Sequence, residues 1–491
     1  MSTGLRRDLG LLGLVATGVC AMLGAGINVV PFMIQRNVPG IDGNVLLAYS
    51  LGVVPALLAA LCYAVLASAM PRAGGSYVFA SRALSPYLGF AASFSQWFGI
   101  SMAIGVVAYV LVPFLRDIAA SVSFSGVAAF LETSAVRLVV PLAFLWLFAV
   151  VNLMGTKTYE RTLVPLMVLM FTGGLLAIPA GFLFDHADFV AAVEAREGVQ
   201  IALPPPKSYD WERILTASVL LFSSFIGFDA VAQAGGEAKN PSRNLPLAIV
   251  LSIVSVGAYY MSFTAAIYHA VPWSFIAERA AATDLTAPGL LAYLLPPAFS
   301  VAIVAAATIA LANDLPAMIL SVSRLLFAWA EDEIFPRGFA AINSRYHTPH
   351  WAIVASAATA SVGVFLNHSA GDFFVGVDLL VTSMLVNFFL MALSVVFLPS
   401  RNPELARQIR FLTGRRAQLV VGATSAVLLA VLTLIQVVKD LSTESDAWYH
   451  HAFYTYLIVL LVASCVFFVR WRKLERAGVD MHARFRGLPP N

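Results

Sequence analysis

Two short stretches place small and polar residues where unbroken apolar helix would be expected. The first is GAGIN, residues 24–28, inside the apolar run from Leu11 to Ile34 and just before Pro31. The second is SSFIGFD, residues 223–229, inside LLFSSFIGFDAVAQAGGEAKNP. An interrupted helix has a new start, whose unpaired N–H groups and positive dipole end attract a carboxylate. It also has a new end, whose free carbonyls accept hydrogen bonds from an ammonium group. Two such interruptions offer complementary poles for a zwitterionic α-amino acid. Around Gly24, Ala25, Gly26 and Ile27 the side chains are small enough, in the main, for a carboxylate to approach the backbone. The second stretch would contribute Ile226, Gly227 and Asp229, with Phe222, Phe225 and Phe228 lining or gating the cavity or simply packing. Glycine also lets membrane helices approach closely, and GAGIN alone fits that reading equally well. The matching interruption elsewhere, with its acid, favours a site. A third feature is Asp314, beside Asn313 in ALANDLPAM and ahead of Pro316. Charge at membrane depth is costly and marks a functional candidate. Asp314 can serve as a proton carrier, as an anchor for Na⁺ or a substrate amine, or as a structural acid bonded to backbone freed by Pro316.

These residues sit in a chain of 491 residues that is 60% hydrophobic and only 12% charged, with mean hydropathy +0.83. Soluble domains carry about 25% charged residues, so this composition predicts an all-α polytopic membrane protein. A spanning helix needs about 20 apolar residues, which gives about twelve candidates. They are 11–34, 45–69, 87–115, 138–154, 162–184, 212–236, 245–270, 298–330, 350–366, 373–398, 417–438 and 452–470. The fourth and ninth are the shortest. The N-terminal run continues past any short signal-peptide core, so it reads as an uncleaved first span. Cys20, Cys62 and Cys465 all lie in apolar runs, which predicts buried free thiols and no disulfide.

Charge sets the expected orientation. With both termini inside, 22 of the 30 Lys and Arg residues fall on inner segments. Those left outside are Arg36, Arg116, Arg137, Arg196, Lys207, Arg213, Arg279 and Lys439. That bias predicts cytoplasmic termini and an even number of spans; the expected location is the plasma membrane. The longest outer connection, 185–210, contains PPP at 204–206 and divides ten spans into two sets of five. Because five is odd, the second set must run inverted, and such inverted repeats place a site where their first helices meet. The expected organisation is an N-tail 1–10, a first repeat 11–184, the loop 185–210 and a second repeat 211–398. Spans eleven and twelve with their preceding loop follow at 399–473, then a C-tail 474–491. Interrupted helices in corresponding positions of the two repeats are the strongest sequence pointer to a transport site.

The segments GAGI (24–27), AMPRAGGSYVFASRALSP (69–86), FSSFIGFDA (222–230), EAKNPSRNLPLAI (237–249) and SRLLFAWAEDEIFP (323–336) followed by TP (348–349) resemble the amino acid–polyamine–organocation transporters. The resemblance covers spans one to ten in order. It implies a five-plus-five inverted-repeat (LeuT-like) fold with two added helices, and secondary active transport of amino acids by alternating access. It places substrate between the unwound spans one and six, with Ala25 and Gly26 in the carboxylate cradle and the carbonyls of Phe225, Ile226 and Gly227 facing the amine. Asp229 falls where many relatives have a glutamate tied to gating. Ser223 stands where some relatives carry a bulky aromatic against the substrate. Around Asp314, relatives of this fold usually have hydroxyl residues that help to hold sodium. Some proton-coupled relatives have a lysine in span five; here Met170 lies near that place, and all five lysines sit in loops or at span ends.

Other classes fit less well. A retinal protein needs a lysine within a span, and a haem subunit needs facing histidines at membrane depth. The eight histidines lie in loops or at span ends, and no GxGD or serine–histidine motif marks a hydrolase. A nutrient sensor with a transporter fold stays a distant alternative. No GxxxxGK[ST] sequence occurs, so no ATP-driven step is expected, nor a cofactor, a metal centre or a nucleic-acid partner. The expected partners are a small amino acid or amine, H⁺ or Na⁺, and the lipid bilayer. Proton symport is the first reading, with amino acid/polyamine exchange or polyamine import as the alternative. Oligomeric state is not readable from the sequence. Asp378, near the outer end of span ten, is expected to meet water, and Arg324 to snorkel or to pair with an acid at the inner gate.

Overall fold

The computed structural model describes residues 5–122, 124–201, 208–370, 374–443 and 451–489. The triple proline at 204–206, Lys207 and His450 lie outside the described residues. Among those residues every regular element is helical, and the β-type pairings are two isolated bridges, Leu9 with Ala238 and Ala73 with Ala234.

Among the described residues eleven helices are long and apolar enough to cross a membrane. The interrupted first crossing makes twelve: Leu11–Cys20, a break, then Ala25–Asn28 and Val30–Asn37. Spans two to five are Asp42–Ala69, Pro86–Ala120, Ser134–Leu153 and Thr156–Leu183. Spans six to nine are Trp211–Gln233, Pro241–Ala270, Ala298–Glu331 and His350–Ser369; spans ten to twelve are Val375–Arg401, Arg415–Ser442 and Ala452–Arg476. Local chemistry sets the boundaries. Pro86 at the first turn and Ser85, whose Oγ accepts from the Leu88 amide at 3.2 Å, start span three. Gly155, at φ 99°, makes the turn into span five, where an L side chain would be strained.

Spans three, six, eight and ten form the interior: 89%, 83%, 83% and 78% of their most apolar stretches are buried, against 22% for span four and 28% for span twelve. Helix pairing follows an inverted two-fold pattern. Span one packs on span seven as span six packs on span two, and span three packs on span ten as span eight packs on span five. Spans two and seven, three and eight, and four and nine pack on each other. Between spans two and three the helix Gly75–Ala83 rests on the second half of span six. Its counterpart between spans seven and eight, Trp273–Ala282, rests on the second half of span one. Span eleven lies against spans two and ten, and span twelve against spans three and ten.

The two ends of the chain meet on one face of the bundle, the terminal face. The Leu9 amide donates to the Glu237 carbonyl, Arg72 donates to the Pro489 carbonyl at 3.0 Å, and Arg82 to that of Gly487 at 3.2 Å. Two expectations need correction. Cys20 and Cys62 are buried, but Cys465 is exposed, because peripheral span twelve turns that side outward. Asp378 is not left to water: its carboxylate takes both contacts of the Lys439 ammonium at 2.8 Å, and span eleven adds Gln436.

Candidate functional site

Span one stops at Cys20 because the backbone leaves the helix through Ala21–Gly24. Span six stops at Phe222, tightens into a 3₁₀ turn over Ser223–Phe225, and unwinds through Asp229. Ile226 is extended at ψ 128° and Gly227 has φ 140°, a region that glycine alone adopts easily. The two breaks touch: a Cβ on Gly227 would run into the Ala21 carbonyl and the Met22 side chain. Gly26 is equally constrained, since a Cβ there would lie 2.9 Å from the Tyr260 hydroxyl and 3.0 Å from Ser224 Cα. Discontinuous backbone is tolerated at this depth only inside protein or beside a cavity. Here it has both.

Hydroxyls from neighbouring helices hold the carbonyls freed in span one. Tyr49 of span two donates toward the Gly26 carbonyl at 2.7 Å and Ser224 of span six at 2.9 Å, the two hydroxyl oxygens being 2.8 Å apart. Tyr260 of span seven donates to the Met22 carbonyl. In span six the support is internal. Asp229 Oδ1 accepts from the Gly227 amide at 3.0 Å, and Oδ2 accepts from Gln96 of span three. Gln96 extends this into a buried network with Ser76 and Gln233, and Ser76 meets Tyr63 at 2.8 Å.

Between the breaks and the interior of spans three, eight and ten lies a narrow cavity of about 50 Å³. Ala21, Met22, Gly26, Ser223, Ser224 and Ile226 line its broken-helix side, and Asp314 enters from span eight. The Asp314 carboxylate lies directly against span one, where a Cβ on Gly24 would overlap it. The residue is 4% exposed, and its Oδ1 has no hydrogen-bond partner. Asp314 is therefore a buried carboxylate open to the cavity without a cation from the protein.

The structure brings Gly24, Gly26, Ile226 and Asp314 together, but it distributes the other sequence-selected residues differently. Gly227 forms the contact with span one. Ile27 faces the opposite side, toward spans five, seven and eight. Phe222 and Phe228 pack on Phe388, Phe228 also on Tyr63, and Phe225 lies between Tyr49 and Tyr260. These phenylalanines are packing residues behind the break and do not line the cavity. Asp229 turns away with them. Asn313 donates to the Cys20 sulfur at 3.0 Å and to the Leu163 carbonyl at 3.2 Å, turned aside from the cavity that Asp314 enters. The backbone of Ala25 opens the short turn Ala25–Asn28 beyond the break. Sequence reasoning missed Tyr49, Tyr260 and Gln96. Their one signal is a polar group inside an apolar run that must find a partner.

Polar contacts tie the helices together at both faces of the bundle. At the terminal face Arg324 makes a paired contact with Glu237, at 2.6 and 3.1 Å, and Arg82 makes one with Asp332, at 2.8 and 3.2 Å. All four side chains are buried. Arg324 thus pairs with an acid, as one of its two expected roles required. At the opposite face Tyr268 donates to the Pro31 carbonyl at 2.7 Å, Gln35 to that of Asp42 at 2.8 Å, and a half-exposed pair joins Arg36 and Asp284 at 3.2 Å.

Comparison with known proteins agrees with this architecture. The profile described as amino acid permease matches residues 9–471. Cationic amino acid transporter 4 of Homo sapiens is 26% identical over 368 residues, covering 71% of this chain and 53% of that protein. The chain thus spans about half the length of that relative. The low-affinity putrescine importer PlaP of Escherichia coli (strain K12) is 25% identical over 349 residues, covering 71% of this chain and 70% of its own. The cadaverine/lysine antiporter of the same organism is 26% identical over 341 residues, covering 68% and 70%. Twelve crossings, two touching helix breaks and a match from Leu9 to Trp471 have one conclusion: the chain belongs to the amino acid permease family of membrane transporters.

Proposed function

We propose that this chain is a secondary active amino acid importer of the plasma membrane, working by proton symport and alternating access, with both termini cytoplasmic. Two inverted repeats, 11–184 and 211–398, form the moving frame, and spans eleven and twelve flank it. The observation that carries the coupling is the unpartnered Asp314 carboxylate, lodged against the span-one break in the same cavity as Gly26 and Ile226. A buried charge without a partner is costly, so the site calls for a cation from outside the protein. A proton meets that need in the least space. It also sets an order of events. The substrate carboxylate is to dock on the amides of Ala25, Gly26 and Ile27, close to Asp314, where two carboxylates would repel each other. Protonating Asp314 first removes that repulsion, and the substrate ammonium then turns to the carbonyls of the opposing break. Opening toward the cytoplasm requires the buried pairs Arg324–Glu237 and Arg82–Asp332 to part.

The test is uptake of labelled amino acids by the purified chain in proteoliposomes, with and without an inward proton gradient. Saturable accumulation that follows the gradient is expected. No saturable uptake of any amino acid or polyamine under either condition would falsify the assignment. Uptake driven only by internal substrate, and indifferent to the gradient, would replace symport with exchange, the activity for which the cadaverine/lysine antiporter is named. Asp314→Asn is expected to reduce gradient-driven accumulation at least tenfold while leaving substrate binding measurable. Undiminished accumulation would remove Asp314 as the proton site.

A further inference from the structure

The wall of the cavity opposite the two breaks decides what kind of side chain it accepts. It is formed by Ala103, Val106 and Val107 of span three, Met318 of span eight, and Val377 and Leu380 of span ten. None of these carries charge, and the thioether of Met318, a weak acceptor, is the one hydrogen-bonding group among them. Two other acids in neighbouring spans are committed elsewhere. Asp229 is bound to the Gly227 amide and Gln96, and Asp378 is bound to Lys439 and Gln436. Among the described residues Asp314 is the single charged group lining the cavity, and it lies at the backbone-rich end, against Gly24. A second ammonium at the far end of a substrate would meet six apolar side chains and no acceptor stronger than a thioether. Desolvating it there would have no compensation.

We infer that the transported substrate is a neutral amino acid with a small aliphatic side chain, and that spans three, eight and ten reject lysine and diamines. This rests on the amino acid reading above and narrows it. It sets the chain apart from the relatives just described, which are named as cationic amino acid, putrescine and cadaverine/lysine carriers.

The experiment compares uptake of labelled L-alanine, L-valine, L-leucine, L-lysine and putrescine by the full chain in proteoliposomes, at equal concentration and under one proton gradient. At least one of the three neutral amino acids is expected to enter ten times faster than lysine or putrescine. Lysine or putrescine transported as fast as the best neutral substrate would overturn the inference and leave the transporter assignment standing. Uptake of none of the five would point instead to failure of that assignment, and the inference would fall with it. Leu380→Asp then puts a carboxylate into the wall, and the lysine-to-valine uptake ratio should rise at least fivefold. An unchanged ratio in a monodisperse protein would show that Leu380 does not face the substrate side chain. Should that variant not fold, Leu380→Ala should shift preference toward longer neutral chains such as methionine, and an unshifted preference would have the same meaning.

Discussion

In span one the freed carbonyls of Met22 and Gly26 are held by hydroxyls from spans two, six and seven, whereas in span six the freed amide of Gly227 is held by a carboxylate two residues further on. The first break is supported by its neighbours and the second largely by itself. The unwound shape of span one rests on donors from Tyr49, Ser224 and Tyr260. Spans one, two, six and seven are therefore bound into one unit. Asp314 and the apolar wall come from spans three, eight and ten, across the cavity. Gln96 of span three, donating to Asp229, is the polar tie from that side to the second break. A relative movement of the two groups would leave the first break intact while changing what faces it.

The largest effect is expected at Gly227, where the two breaks touch. An alanine there must adopt a conformation reserved for glycine, and its Cβ would run into the Ala21 carbonyl. Backbone strain and overpacking together should cost about 3 kcal/mol or more. Gly227→Ala is expected to lower the yield of monodisperse protein and its melting temperature sharply. Normal thermal stability would mean that the two breaks are not in contact as described.

Asp229 tests the self-supporting character of the second break. Asp229→Leu would leave the Gly227 amide and the Gln96 amide group buried without acceptors, costing about 2–4 kcal/mol. Asp229→Asn keeps the shape and one acceptor, so it should cost about 1 kcal/mol. Thermal unfolding in detergent should rank them in that order. If both variants match the parent, the carboxylate does not hold the break. If Asn is as damaging as Leu, the charge itself matters more than the shape.

Much of this frame is legible in the sequence. Run length locates every span, including the fourth and ninth, which are complete helices of 20 and 21 residues. Small residues locate the second break at 223–229, but they place the first too late: the helix opens over Ala21–Gly24, and GAGIN shares only Gly24 with it, being helical again from Ala25 to Asn28. What the sequence hides is direction. Helical periodicity assigns a face to each residue only while the helix lasts, and it ends at Phe222. Past that point the extended Ile226 and the left-handed Gly227 re-aim the chain. Phe225, Phe228 and Asp229 consequently swing behind the break, and Ile226 comes forward. Long-range pairings are hidden for a different reason. Nothing near Asp378 announces Lys439, and nothing near Gln96 announces Asp229, because helix packing creates both pairs. The same holds for Tyr49, whose hydroxyl reaches a carbonyl 23 residues earlier.

That hydroxyl also permits the finest test. The Gly26 carbonyl has two donors, Tyr49 at 2.7 Å and Ser224 at 2.9 Å, so removing one leaves the oxygen satisfied. Tyr49→Phe keeps the ring contacts with Phe225 and Tyr260 and should cost about 0.5–1.5 kcal/mol, the net worth of one hydrogen bond. Ser224→Ala alone should behave similarly. The double variant strands the carbonyl and should cost more than the two single changes together, since a buried acceptor without any donor carries its full desolvation penalty. A double-mutant cycle on thermal stability measures that excess directly. Strict additivity would mean that the Gly26 carbonyl finds another partner, which would make the first break as self-sufficient as the second.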